Sequence, residues 1–410
     1  NAMASHFIVG LDIGTAAIKV AVAERRDGRL TLRSLFKEPT SGLRRGVIVD
    51  VADVSQALAR AFGEVKKISK SALKCIYASI GTHQVKTQTS RGIVAVSRAD
   101  TEIYQEDIDR VVRASHAITL SPNRAVVHHI PREFIVDGVG DILDPLGLNG
   151  SRLEVTSFVI DAFVPHVKYL MRVIELNGGE VRELVLGPLV SSRSALSKRQ
   201  KELGTVLVDI GAGTTGMAVY EENKLLGASV FPVGAGSITS DIAVGLKIPV
   251  DVAEQIKLHY GYAVAKDIGQ RESIEMKKFL PEGRGLVARR FLAEVIEARL
   301  AEVFEFVNNE LKLLGKSGQL PGGVVLVGGG AKLPGITELV RAELKLSSQI
   351  GLGFSEAWGA AQDTFTESLE DPEYVTALGL VLWGLDKETR DAGGAFTGFS
   401  LKKLMRYFLT

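Results

Sequence analysis

Val206-Leu207-Val208-Asp209-Ile210-Gly211-Ala212-Gly213-Thr214-Thr215 decides the fold, because Leu11-Asp12-Ile13-Gly14-Thr15 repeats its pattern about 200 residues earlier. Each copy follows an apolar strand and precedes another. Around the first copy, Phe7–Leu11, Ile18–Glu24 and Leu30–Phe36 read as strands, with a hairpin signal at Asp27-Gly28. Around the second, Met217–Tyr220, Lys224–Ser229 and Ser237–Val244 continue the same order. The spacing predicts a duplicated domain with a cleft between its halves.

The residue types suit a phosphate clamp. A triphosphate is anionic and needs backbone N–H donors at close range, and glycine lets the backbone approach it. Gly14, Gly211 and Gly213 supply that freedom, with Gly234 and Gly236 counted in the same set. Thr15, Thr214 and Thr215 offer hydroxyl donors, and Lys19 offers charge if it faces the cleft. Asp12 and Asp209 would repel phosphate, so they are assigned to Mg²⁺ held through waters, or to orienting an attacking water. One copy alone would read as an ordinary hairpin with a turn aspartate. Two copies and a third glycine cluster do not.

That third cluster, Gly328-Gly329-Gly330-Ala331-Lys332, follows the strand Val324–Val327. It would let a flat base lie on backbone, with Lys332 reaching sugar or phosphate. Glu254 and Lys257 sit three apart on a predicted helix and share one face, suited to ribose and base.

The rest of the chain sets bounds. Its 410 residues are too many for one small core. Forty-nine basic against forty-eight acidic side chains leave a net charge of +1, which excludes a whole-molecule pull on nucleic acid. The single cysteine, Cys75, excludes an internal disulfide and reads as a small buried hydrophobe of a cytoplasmic chain. No apolar run reaches the roughly 18–20 residues of a membrane span, and no signal peptide is expected. Asn1-Ala2-Met3 reads as a tag remnant before a natural start. Seven histidines show no metal-ligand spacing, and His128-His129 reads as structural. Neither a Gly-x-Ser-x-Gly elbow nor a Walker-type loop occurs.

Between about Gln84 and Phe163 the pattern changes to short strands (Gly92–Val96, Ala125–Ile130, Phe134–Val136, Glu154–Ile160) around a helix near Glu106–Ala117, an inserted α+β unit. Phe291–Leu314 reads as one long helix and Tyr374–Leu385 as a last buried one.

The paired Asp-x-Gly hairpins and the triple glycine resemble the actin superfamily of ATPases. Further segments resemble its bacterial cell-division family, FtsA: His129-Ile130-Pro131-Arg132-Glu133-Phe134-Ile135-Val136-Asp137-Gly138, Asn149–Leu153, Glu202-Leu203-Gly204, Thr239–Ala243, Ala253–Lys257 with His259-Tyr260-Gly261, Leu292–Arg299 and Tyr374–Gly384. The likeness runs from about Phe7 to Leu385. It departs at Ala298, where the family usually has proline, at Gly81-Thr82-His83-Gln84, and at Gly211-Ala212-Gly213 in place of a triple glycine.

The resemblance implies an α/β, actin-like (ribonuclease-H-like, duplicated) two-lobed ATPase fold with the inserted subdomain in its first lobe. Residues 4–83 and 164–203, completed by 362–386, would form that lobe, with 84–163 inserted. Residues 204–240 and 315–361 would form the second lobe, and 241–314 its smaller subdomain. It implies ATP and Mg²⁺ between the lobes, turnover slow or absent, actin-like filaments, binding of the C-terminal peptide of FtsZ, and contacts of the insert with later division proteins. Arg289, Arg290 and Arg299, with Arg284 before them, would form a cationic rim for that acidic, apolar peptide. Rival readings are an FtsA-like ATPase of type IV pilus assembly and a sugar-kinase-like phosphotransferase.

The C-terminus reads as a linker at 387–398 and an amphipathic helix at 399–410. Ser400 is its N-cap, and Leu401, Leu404, Met405, Phe408 and Leu409 make one apolar stripe. Lys402, Lys403 and Arg406 flank the stripe, with no acidic residue after Asp391. So short a helix, roughly 16 Å, must lie flat on an anionic membrane surface rather than cross it.

Overall fold

The computed structural model describes residues 6–26, 29–283, 285–353, 358 and 362–392. The chain opens with β1 (His6–Ile13), β2 (Ala17–Arg26), β3 (Arg29–Pro39), α1 (Val51–Ile68) and β4 (Ile76–Ile80). It then leaves for β5 (Val85–Ala95), α2 (Gln105–Ala114), β6 (Arg124–Val136), β7 (Val139–Ile142) and β8 (Arg152–Phe163). It returns through α3 (Val164–Leu176), β9 (Val181–Leu186) and α4 (Gly187–Ala195). The second half runs β10 (Thr205–Ile210), β11 (Thr215–Glu221), β12 (Lys224–Phe231), α5 (Ala235–Leu246), α6 (Val250–Tyr260) and α7 (Arg289–Leu313). β13 (Val324–Val327), α8 (Ile336–Leu344), β14 (Ser348–Ile350) and α9 (Val375–Ala392) follow.

The duplication is explicit in the sheets. The first has the order β3-β2-β1-β4-β9 and the second β12-β11-β10-β13-β14. In each, the first three strands pair antiparallel and the last two join in parallel. Central strands are covered on both faces, so β1 buries Ile8, Val9 and Leu11 in succession. One face of the first sheet packs on α1 and α3. The other takes α9, through Ala377, Leu378, Leu380, Val381 and Leu382.

Local rules explain the helices. Asp50 caps α1 by accepting from Asp53 N–H, and Val54, Leu58, Ala61, Phe62 and Val65 make its buried stripe. In α7, Leu292, Ile296, Leu300, Val303, Phe304, Val307 and Leu311 are buried at helical spacing, as the periodicity predicts. They join the second sheet's core with α5 and α8.

The insert is an antiparallel sheet in the order β5-β8-β6-β7, with α2 packed on it through Val111 and Val112. The sequence predicts two short strands where β6 is one long one. Pro131 lies opposite Ser157 at a register shift that leaves Arg132 as the extra residue, so a bulge absorbs the proline without ending the strand. Lys224 on β12 ties the insert to the second half through Asp141 at 2.8 Å, with Glu133 at 3.9 Å.

The last helix runs further than the sequence suggests. Residues 387–392 continue α9 instead of starting a linker. The polar residues here are held: Arg193 makes a two-point pair with Asp386, Lys387 meets Glu183 at 3.6 Å, and Thr389 donates to Leu385 O. Residues 393–410, with the predicted membrane helix, lie outside the described residues, as does Arg284.

Candidate functional site

The two predicted loops are tight β-turns of one geometry. Gly14 N–H donates to Ala17 O at 3.1 Å, and Gly211 N–H donates to Thr214 O at 2.9 Å. The turns meet face to face. A Cβ placed on Gly213 would lie 2.3 Å from Thr15 Oγ1, so only glycine permits this approach of the two halves. Gly14, Thr15, Gly211, Gly213 and Thr214 thus share one gap.

Both aspartates stand at strand ends beneath that gap, each held by hydroxyls. Ser79 Oγ donates to Asp12 Oδ1 at 2.6 Å. Ser191 Oγ and Thr376 Oγ1 both donate to Asp209 Oδ2, at 3.1 and 3.0 Å. Lys19 is paired with Asp12 in the β1–β2 ladder, its Nζ 3.9 Å from Oδ2. Burial, and then the charge of Asp12, hold the Asp209 carboxyl above the usual carboxylate range. A buried carboxylate facing a second one, with hydroxyls fixing the orientation of both, fits a divalent cation held through waters. The donor set therefore suits the Mg²⁺ expected here.

The triple glycine packs against the end of β10. Gly328 has φ +85, and a Cβ there would lie 2.4 Å from Asp209 Oδ1; one on Gly330 would strike Ile210. These two glycines are required by packing, whereas Gly329 has open space, its nearest neighbour being Glu373 at 3.9 Å. Lys332 is engaged by Asp371 at 2.9 Å and Glu373 at 3.5 Å. Those partners raise its pKa against the opposing effect of burial. Lys257 is buried and donates to Glu254 Oε2 at 2.7 Å, Thr239 Oγ1 at 2.9 Å and Ala235 O at 3.3 Å. Glu254 also accepts from Thr239 Oγ1. This network ties α6 to the start of α5, and Glu254 remains half exposed.

Three expectations change. Thr215 is fully buried and donates its hydroxyl to Val233 O at 2.8 Å, so it braces the loop after β12 and has no proton for phosphate. Gly234 and Gly236 flank the first residue of α5, where Ala235 and Gly236 N–H donate to Gly211 O and Ala212 O, each at 2.8 Å. Gly236 thus spends its N–H docking the helix on the back of the second turn, and Gly234 stands at the N-terminal boundary of that helix. The expected cationic rim is largely neutralised. Arg299 makes a two-point pair with Asp241 at 2.6 and 2.9 Å, and Arg289 binds Glu272 at 2.7 Å and Tyr260 O at 3.0 Å. Of the three, Arg290 is held most loosely, 3.9 Å from Glu294.

Ser79, Ser191, Thr376 and Thr239 escape the sequence reading. A signal exists for two of them: Ser191 lies in an otherwise buried short helix and Thr376 in the apolar run of α9.

Residues 206–379 match the family profile described as cell division protein FtsA, and residues 82–160 match the SHS2 domain inserted in FtsA. The cell division protein FtsA of Pseudomonas aeruginosa is 31% identical over 401 residues, covering 98% of this chain and 94% of that protein. The chain belongs to the FtsA family. Among solved structures, the PilM–PilN type IV pilus biogenesis complex superposes with a TM-score of 0.66 at 20% identity, covering 92% of this chain and 98% of that one. MreB 5 of Spiroplasma citri bound to AMPPNP superposes with a TM-score of 0.55 at 13% identity, covering 95% and 99%. These likenesses show the actin-like fold. The strand-rich unit between β4 and α3 is the FtsA insert, in the first lobe. No helix among the described residues is long and apolar enough to cross a membrane.

Proposed function

We propose that this FtsA-family chain binds ATP with Mg²⁺ between its two turns, assembles into actin-like filaments and tethers FtsZ filaments to the inner face of the membrane. The observation that carries the reading is the meeting of the two equivalent turns at Thr15 and Gly213. The Thr15 side chain meets the Gly213 backbone there, so one turn from each half borders the gap, and Asp12 and Asp209 stand on the strands that lead into those turns. One nucleotide would thus touch both lobes and set their closure, which is how binding energy becomes assembly state.

Within that site Gly14, Thr15, Gly211, Gly213 and Thr214 line the phosphates. Lys19 offsets charge beside Asp12. Ser79, Ser191 and Thr376 hold Asp12 and Asp209 toward the cation. Mg²⁺, when bound, neutralises phosphate charge and orders water. Glu254 and Lys257 bound the sugar side, and Gly329 leaves room for the base. Arg290 stands next in sequence to exposed Phe291, and Phe291 packs beside Gly245, the neighbour of exposed Val244. An apolar surface with one loosely held cation suits an acidic, apolar FtsZ tail. The insert serves later division proteins, and residues 399–410 the membrane.

The test is cosedimentation. FtsZ filaments should carry the chain into the pellet, and FtsZ lacking its C-terminal peptide should not. Equal pelleting with both would refute the FtsZ assignment. Failure with both would favour the pilus or kinase readings.

A further inference from the structure

His6, Cys75 and Glu388 come together from three distant parts of the chain. His6 opens β1, Cys75 immediately precedes β4, and Glu388 lies near the end of α9. One donor atom of each lies within 4.8 Å of the others. His6 Nε2 is 2.6 Å from Glu388 Oε1, and Cys75 Sγ is 3.4 Å from the same oxygen. Cys75 is 3% exposed, whereas His6 is at the surface. The sequence reading treats Cys75 as an inert small hydrophobe, and the nucleotide site uses none of the three. Asp12 stands at the far end of β1, roughly 20 Å away at the strand rise.

We propose that Cys75, His6 and Glu388 form a binding site for a thiophilic divalent cation, zinc first, that fastens the start of β1 to the end of α9.

A thiolate, an imidazole and a carboxylate are the standard donors for Zn²⁺. Ligands about 2.0–2.3 Å from one tetrahedral ion lie roughly 3.5 Å apart. The Cys75–Glu388 separation already matches. The His6–Glu388 contact must open by about 1 Å, and the His6 ring is half exposed. Thiolate and carboxylate balance the ion's two charges, and Arg25, 4.0 Å from Glu388 Oε2, lies at the edge of the cluster. Binding replaces the Cys75 S–H bond by S–Zn, and the proton leaves to solvent.

The experiment titrates the untagged full chain with Co²⁺, a spectroscopic stand-in for zinc. A thiolate-to-cobalt charge-transfer band should saturate at one ion per chain, disappear on adding Zn²⁺, and be absent in Cys75→Ser. His6→Ala and Glu388→Gln should each weaken Co²⁺ affinity by about tenfold or more. His6→Ala removes a surface ring, so it keeps the test valid if Cys75→Ser does not fold. ATP affinity should be unchanged in His6→Ala. No charge-transfer band in the wild-type chain would overturn the site, as would a band whose affinity His6→Ala and Glu388→Gln leave intact.

Discussion

Replacing Gly213 probes the gap on which the nucleotide reading depends. A β-carbon there would stand 2.3 Å from Thr15 Oγ1, 3.1 Å from its Cγ2 and 3.0 Å from its Cβ, where ordinary contact begins at 3.4 Å. With Thr15 fixed, the turns must part by about 1 Å. Rotating Thr15 to present hydrogen removes the worst overlap but leaves the Cβ contact short by about 0.4 Å. Gly213→Ala is thus partly relieved, whereas Gly213→Val carries two further methyl groups that no rotation clears. Parting the turns by about 1 Å stretches phosphate hydrogen bonds from about 2.9 Å to beyond 3.5 Å, outside bonding range. Each such bond to a charged group contributes about 1.5–3 kcal/mol, or roughly 10- to 150-fold in affinity. Gly213→Ala should therefore lose about tenfold in ATP affinity, and Gly213→Val 100-fold or more. Thr15→Ala removes both Oγ1 and Cγ2. The double variant Gly213→Ala/Thr15→Ala should bind within a few-fold of Thr15→Ala alone, a coupling between residues about 200 apart in sequence. Fluorescent-nucleotide anisotropy measures each affinity, with circular dichroism to check the fold. If Gly213→Val stays within twofold of wild type, or Thr15→Ala rescues nothing, the phosphates do not lie between these turns.

Three further outcomes follow from the same structure. Asp209→Asn should stabilise the nucleotide-free chain at pH 7 while abolishing the extra stabilisation given by Mg-ATP. Its folded carboxyl lies above the ordinary 3.8, so wild type loses stability as pH rises from 3.8 through the folded value; the gain in the variant should vanish below that window in thermal scans. Phe304→Ala should cost about 3–5 kcal/mol in denaturant titration, since Phe304 is fully buried, while Leu313→Ala, 81% exposed on the same helix, should stay within about 0.5 kcal/mol. Arg290→Glu should weaken FtsZ-peptide binding and its salt dependence in fluorescence titrations, whereas Arg299→Gln should mainly lower the unfolding midpoint, because its guanidinium clamps Asp241; the reverse pattern would move the peptide site.

Legibility in the sequence followed the range of the interactions. The duplicated turns, the strands on either side of them and the stripe of α7 are local patterns of glycine placement and hydrophobic period, readable from residue order, whereas Ser237–Val244, read in the same run, lies inside the helix α5. Ser79, Ser191 and Thr376 become site residues only because the sheets bring them to Asp12 and Asp209 across 67, 18 and 167 positions. Thr215 shows the converse: its type suits phosphate, but its place in the ladder turns the hydroxyl inward. The end of α9 reads as a linker because Lys387, Glu388 and Thr389 are polar, and the partners of the first two, Glu183 for Lys387 and Cys75 and His6 for Glu388, lie elsewhere in the chain. Arg289 and Arg299 read as a binding rim for the same reason, since Glu272 and Asp241 are neighbours only in the fold.

The central claim is that ATP-dependent assembly presents many weak membrane helices at once. On the proposed reading, a single tail would gain about 1 kcal/mol per basic residue near an anionic surface, and ordering so short a helix would oppose this by several kcal/mol. Avidity along the proposed filament would then decide membrane residence. The direct measurement is pelleting of FtsZ filaments with anionic vesicles by the full chain, by a chain ending at Gly398, and by Leu404→Glu, each with and without ATP. The full chain with ATP should bring FtsZ to the vesicles, and the other two should leave it in the supernatant. Equal vesicle recruitment by all three, or recruitment by the full chain that ignores ATP, would contradict the account.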